Sequence, residues 1–317
     1  LKAIKEYLPL ANDYELTLEG RIHDLIPENL EVWMNNGVNR MSIGIQSFNT
    51  KVRQMVGRLD TKETVLERLA ALKAYGQCSV VIDLIYGLPG QTMEVWEQDL
   101  ADLVKSGVDG ADLYQLNVFD GSDLNKDITN GKVPAAATTA MQGDMFEFGR
   151  TYLEARAYRR LSAAHWSANN RERSLYNILA KAGVPMFPFG SGAGGNVDGY
   201  GMMLHRALKP YEDMVSRGEK PFMALMKQSD LQPFVNQVVS QLEQGYLNIN
   251  TLVAMDSRLD ELNWLYKLWE KRGLVLYNGL LYKLTSAGEF WTVNITQSTL
   301  EAMEYIITGK NSFALES

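Results

Sequence analysis

The run Ser79-Val80-Val81-Ile82-Asp83-Leu84-Ile85-Tyr86 is apolar and rich in β-branched residues on both alternating faces. That is the pattern of a strand covered on both sides in a parallel sheet. Asp83 stands inside it, and an unpaired buried carboxylate costs several kcal/mol, on the order of the spare stability of a whole domain. The charge must therefore answer to a partner: a neighbouring loop amide, or a ligand. Gly87 and Pro89 end the strand and a helix begins near Thr92. Ligands of parallel α/β folds bind at this carboxyl end of the strands.

The surrounding chain repeats the arrangement. Asp13 to Glu19 alternates as a strand, and Pro27, the stripe Leu30, Trp33, Met34 and then Gly37 read as a helix with a first-turn proline and a C′ glycine. Arg40 to Gln46 is the next strand. Asp60 and Glu63 have capping-box spacing before the helix ending at Gly76. After the Ser79 to Tyr86 strand come a helix from about Thr92 to Ser106 and a strand from Asp112 to Val118. Strands alternating with helices mean βαβ units and a parallel sheet or barrel, and four such units are visible.

A long helix from about Met141 to Tyr158 follows, then a segment around Ser162 to Ser167 and a glycine-rich turn, Phe189-Gly190-Ser191-Gly192-Ala193-Gly194-Gly195-Asn196. Beyond Leu204 the pattern is mostly helical to about Arg272. Asn278-Gly279 between apolar runs reads as a two-residue hairpin turn, suggesting a winged-helix-like end. The expected domains are 1–160, an incomplete barrel; 161–204, a connecting segment with the Gly-rich loop; and 205–317, a helical carboxyl-terminal domain.

The length of 317 residues suits two domains, and 46% hydrophobic with 22% charged residues suits a soluble globular protein. A net charge of −7 argues against nucleic acid or an anionic membrane as partner. No apolar run reaches the ~18 residues of a spanning helix, and no signal peptide is visible, so a cytoplasmic setting is expected. Cys78 is the one cysteine, which excludes internal disulfides and any multi-cysteine metal site within these residues. The chain opens at Leu1 in what reads as a helix, and we expect a fragment whose amino-terminal part lies outside it.

Three further polar residues stand where strands and turns end: Glu19, Gln46 and Arg58. Taken singly, each reads as a cap or a solvated loop residue. With Asp83 they form a set of two carboxylates, an amide and a guanidinium on one rim. Carboxylates accept from ribose hydroxyls and ammonium, and Arg grips a carboxylate, so the set suits a ligand carrying all of these.

The segments Leu16-Thr17-Leu18-Glu19, Asn39-Arg40-Met41-Ser42-Ile43-Gly44-Ile45-Gln46-Ser47-Phe48, Val56-Gly57-Arg58 and Ile82 to Thr92 resemble the oxygen-independent coproporphyrinogen III dehydrogenase family of radical S-adenosylmethionine (SAM) enzymes. The similarity extends over most of the chain. It implies an α/β fold: a partial (β/α)6 radical-SAM barrel lacking its first strands, plus a mainly helical carboxyl-terminal domain. It also implies that Glu19, Gln46, Arg58 and Asp83 contact SAM, Asp83 on the ribose side, with the strand around Asn117 near the adenine.

Members of that family hold a [4Fe–4S] cluster on a Cys-x3-Cys-x2-Cys loop. This chain has no such loop, and Cys78 stands alone on the wrong strand. The resemblance therefore implies SAM as cofactor, the cluster in the full-length protein only, and no radical chemistry from these residues alone.

Gln115 to Ser122 and Phe189 to Gly195 are most similar to the haem-utilisation (HutW/ChuW-type) branch, which implies anaerobic opening and methylation of haem with an electron donor as partner. Oxidative decarboxylation of coproporphyrinogen III is the second reading, and a non-catalytic haem-binding or trafficking protein the third. The His-Asn-x-x-Tyr-Trp motif of the related haem-chaperone branch is missing. His165-Trp166 lies where the dehydrogenases carry a pair near the substrate; a packed core pair is the plainer alternative. Gly190 to Gly195 matches G-x-G-x-x-G but lacks the strand before it and the helix after it, so no dinucleotide site is expected.

Overall fold

Four successive parallel strands build a sheet with two unlike faces. The computed structural model describes residues 1–310, so 311–317 of the expected 205–317 domain lie outside the described residues. A first unit spans Leu1–Arg173 and a second begins at Ser174. The first contains α1 (Lys2–Tyr7), β1 (Thr17–Arg21), α2 (Pro27–Asn35), β2 (Arg40–Gln46), α3 (Thr50–Met55), α4 (Lys62–Ala74) and β3 (Ser79–Tyr86). There follow α5 (Met93–Ser106), β4 (Gly110–Gln115), α6 (Asp123–Thr129), α7 (Thr139–Glu154), β5 (Arg159–Arg160) and β6 (His165–Ser167). The sheet order is β1-β2-β3-β4-β6-β5; the first four strands are parallel, and β6 and β5 run antiparallel.

One face of this sheet is apolar. Met41, Ile43 and Ile45 of β2, Val80, Ile82 and Leu84 of β3, and Ala111 of β4 are fully buried. They lie under helices whose buried residues include Leu69 of α4, Trp96 and Leu100 of α5, and Met145 of α7. Trp96 Nε1 donates to the Met145 carbonyl at 2.8 Å and joins α5 to α7. The opposite face carries Glu19, Arg40, Ser42, Asp83 and Asp112 in alternation with those residues.

Several ends differ from the sequence reading for local reasons. β1 starts at Thr17 rather than Asp13, because the Asn39 amide takes the Leu16 amide (2.8 Å) and the Tyr14 carbonyl (2.8 Å) before the ladder begins. β4 stops at Gln115 instead of Val118, since Gln142 takes the Leu116 carbonyl at 3.0 Å. Thr61, not Asp60, caps α4, accepting from the Thr64 amide; Asp60 lies 3.8 Å from Arg53 and 3.9 Å from Arg68. α7 ends at Glu154, where the chain turns through Ala157 at φ +61°. The first unit runs past residue 160 because β6 pairs with β4, so residues 161–173 belong to it rather than to a connecting segment.

The second unit contains α8 (Leu175–Lys181), β7 (Gly194–Val197), β8 (Tyr200–Leu204), α9 (Leu208–Ser216), β9 (Phe222–Lys227), α10 (Gln232–Glu243), β10 (Tyr246–Leu247) and α11 (Ile249–Val253). It continues through α12 (Leu262–Lys271), β11 (Val275–Tyr277), β12 (Tyr282–Leu284), α13 (Ser286–Phe290) and α14 (Thr292–Thr308). Strands β7, β8 and β9 form an antiparallel sheet. Its third strand falls in the stretch expected to be helical: Met223, Ala224, Leu225 and Met226 favour helix intrinsically, and pairing with β8 overrides that preference. The Gly190 to Gly195 turn leads into β7 of this sheet and not into a helix.

Around one further core, Val238, Leu242, Leu252, Leu259, Tyr266 and Met303 are fully buried beneath the small sheet β10-β12-β11, giving the winged-helix-like end. The hairpin closes one residue later than expected. The Asn278 amide donates to the Leu281 carbonyl (3.2 Å), leaving Gly279 (φ +90°) and Leu280 at the tip. The Asn278 side chain shifts the turn by accepting from the Leu280 and Leu281 amides.

Candidate functional site

Register places a row of side chains across the polar face of the sheet. Arg21 pairs with Gly44, Gly44 with Asp83, Asp83 with Asp112, and Asp112 with His165. Gly44 is the one gap in that row. A Cβ built on it would lie 3.0 Å from Gln46 Nε2 and 3.7 Å from Asp83 Oδ2, so the missing side chain leaves a notch walled by an amide and a carboxylate.

Asp83 accepts one hydrogen bond, from Ser42 Oγ at 3.2 Å on its Oδ1 atom. Burial pushes its pKa up to about 6; Asp112 and Glu19 add to the rise, while Ser42 and Arg40 oppose it. Gln46 ends β2 with a left-handed backbone (φ +64°), which favours glycine, and its buried Oε1 finds no hydrogen-bond partner in the protein. Arg58 sits on the loop after Gly57. Burial and then the nearby Arg21 pull its guanidinium down, and Asp83 and Asp60 push it back. Glu19 lies within β1 opposite Ser42, not at the strand's end, and is exposed. The structure thus brings Glu19, Gln46, Arg58 and Asp83 together around the notch.

Asn117 is different. It lies two residues beyond β4 and is exposed. His165 and Trp166, expected near a substrate, are buried on opposite faces of β6. Both His165 nitrogens are occupied, Nδ1 by Asp112 (2.9 Å) and Nε2 by Glu172 (3.1 Å), so none is left for a substrate or its iron. Burial pulls the imidazole down, but these two hydrogen bonds outweigh it and hold the pKa up at about 9. Glu172 also receives Arg40 Nε (3.1 and 3.0 Å) and Ser79 Oγ (2.9 Å). These contacts outweigh its burial and keep its carboxyl below the usual range.

Sequence reasoning missed Asp112, Arg40, Glu172 and Gly44. Asp112 carries the same signal as Asp83, an acid inside an apolar strand, and could have been found by it. Glu172 lies in an irregular segment, and nothing in its spacing marks it. Arg53 was missed as well. Fully buried, it donates to the Ile45 and Ser47 carbonyls and fixes the end of β2 beside Gln46.

The description of the Radical SAM superfamily matches residues 2–103. Anaerobilin synthase of Escherichia coli O157:H7 is 34% identical over 307 residues, covering 96% of this chain and 68% of that protein. The haem chaperone HemW of Lactococcus lactis is 29% identical over 265 residues, covering 78% of this chain and 69% of its own. The solved structure of coproporphyrinogen III oxidase (HemN) from Escherichia coli superposes with a TM-score of 0.78 at 19% identity, over 94% of this chain and 72% of that one. This last likeness establishes the fold.

The superfamily's two cofactors fare differently here. The notch fits SAM: an orphaned amide oxygen and a half-satisfied carboxylate can accept from ribose hydroxyls and ammonium, and Arg58 can meet the carboxylate. The cluster does not fit these residues. Thiolates are its ligands, and burial pushes the thiol of Cys78 up to about 12. Among the described residues no group of three His, Cys, Asp or Glu side chains could hold a metal ion. No described helix is long and apolar enough to cross a membrane. The chain belongs to the radical SAM superfamily, among the relatives of anaerobilin synthase and oxygen-independent coproporphyrinogen III oxidase.

Proposed function

We propose that this chain supplies the SAM-holding half of an enzyme that opens haem anaerobically. Glu19, Gln46, Arg58 and Asp83 bind the cofactor, Asp83 and Gln46 accepting from its hydroxyl and amino groups and Arg58 from the other side gripping its carboxylate. The carrying observation is the Gly44 notch, where a buried amide oxygen without a partner faces a carboxylate with one. Bound SAM supplies the radical and methyl chemistry; the protein supplies aim and exclusion of side reactions. The cluster's thiolates and an electron donor come from outside these residues. Haem ranks first as substrate because the 34% identity to anaerobilin synthase runs through 96% of the chain, and a bilin is an open-chain tetrapyrrole.

The test is an anaerobic assay of a protein joining this chain to cluster-binding cysteines, with SAM, reductant and either haem or coproporphyrinogen III. Loss of the Soret band into an open-chain product is expected. Conversion of coproporphyrinogen III with haem untouched favours the decarboxylase instead, and haem bound with its Soret band retained favours a carrier. Asp83→Ala should weaken SAM binding by about 1–3 kcal/mol, the cost of losing a charged hydrogen-bond acceptor. Unchanged affinity in the folded variant would remove Asp83 from the site.

A further inference from the structure

We propose that His165 is a positioning residue for the SAM site: its ring, held between Asp112 and Glu172, offsets the charge of Asp112, the carboxylate directly across from Asp83. The inference rests on the reading of Asp83 as a SAM ligand.

The geometry carries it. Asp83, Asp112 and His165 occupy one register row over β3, β4 and β6. Neighbouring strands lie about 4.8 Å apart, so the two carboxylates meet at short range where little water screens them. Arg40 already matches Glu172 through its Nε, with Ser79 completing the carboxylate. The charge on His165 is therefore left for Asp112. Two cations, Arg40 and His165, stand against two anions, Glu172 and Asp112, so the negative field that Asp112 sets against Asp83 is partly offset. Without the His165 charge Asp83 would face a net anion and take up a proton. A protonated carboxyl has lost acceptor capacity toward ribose hydroxyls.

The other charged or titratable groups around Asp83 are Glu19 on β1, Arg40 on β2, Arg58 on the loop and Tyr114 on β4. None of them reaches Asp112 through a hydrogen bond, whereas His165 does so at 2.9 Å. With Asp83 losing its proton at about 6 and His165 at about 9, both are charged between those values. That interval is the working range of the site.

The experiment is SAM titration of the 317-residue chain by calorimetry from about pH 5 to about pH 8, the span in which Asp83 changes charge while His165 keeps its proton. Wild-type affinity should fall as the pH drops through about 6. His165→Gln should move that midpoint up by about one unit, weakening binding about twofold at pH 7 and nearly tenfold at pH 5. Asp112→Asn should move it down, and adding Asp112→Asn to His165→Gln should return the midpoint to the wild-type value or below. A merely structural role for His165 gives no such rescue. Should His165→Gln fail to fold, the Asp112→Asn midpoint decides alone, and an unmoved midpoint overturns the proposal. Asp83→Asn separates the two readings. If it binds SAM like wild type, the site assignment fails; if it loses SAM while the other variants titrate like wild type, only the role of His165 fails.

Discussion

Gln91 Nε2 donates to Asp99 Oδ2 at 3.1 Å, joining the turn after β3 to helix α5. Gln91 Oε1 also accepts from the Gly87 (2.8 Å) and Leu88 (3.1 Å) amides, and Asp99 accepts from the Phe48 amide (2.7 Å) and Ser47 Oγ. Two buried side chains thus tie together the carboxyl ends of β2 and β3, the ends that carry Gln46 and Asp83. The walls of the notch are held by groups that never touch it.

Asp99→Ala should therefore destabilise the first unit by about 2–4 kcal/mol, because it leaves several buried donors without a partner. Urea unfolding followed by a probe in that unit measures it. A midpoint equal to wild type would mean that water replaces the carboxylate.

Gly44→Ala tests the notch without touching a charge. The new methyl would sit 3.0 Å from Gln46 Nε2, tight enough to force that amide aside. The strand should tolerate alanine, with a stability change within about 1 kcal/mol, while SAM affinity falls roughly tenfold or more. Full affinity in this variant would place the ligand elsewhere.

Stability should fall on the alkaline side through His165. Its pKa is raised from 6.5 to about 9 on folding, so its contribution is complete below about 6.5 and disappears as the pH climbs through about 9. Asp83 and Asp99 act in the same direction at lower pH. Burial raises both to about 6, so each favours the folded state more as the pH falls from about 6 toward 3.8. Denaturation midpoints measured against pH should show the alkaline decline in wild type and a flatter curve in His165→Gln. Identical slopes would count against a charged His165.

In the second unit, Tyr266 is fully buried and its hydroxyl lies 2.9 Å from Thr299 Oγ, which donates to the Ile295 carbonyl at 2.7 Å. Tyr266→Phe keeps the ring and removes one hydrogen bond. The expected loss is about 1 kcal/mol, read from unfolding of that unit; no loss would make the bond energetically idle.

The parallel sheet was legible because its strands are two-faced and its helices carry their own stops: Pro27 opens α2, Thr92 caps α5, and Gly107 closes α5 in the left-handed region. Asp83 was legible for the opposite reason, as a charge that breaks an apolar pattern. What escaped was whatever depended on register. That Gly44 lies beside Asp83, and that Asp112 faces His165, follows from strand alignment, which no local pattern encodes. Strand β9 escaped because its residues prefer helix and only its partner says otherwise. His165 was noticed for its chemistry, but its place in a saturated network could not be seen before Glu172 was located.

Among the described residues strand β1 is bonded on one side only, to β2. Its outer flank is a template on which a further parallel strand can zip, so the sheet has a direction in which to grow toward a closed cylinder. Glu19 and Arg21, both exposed on that strand, stand on the polar face beside the open flank with opposite charges. Any segment that completes the cylinder must accommodate both, and two copies meeting there head to head would not find the hydrophobic stripe that welcomes indiscriminate stacking.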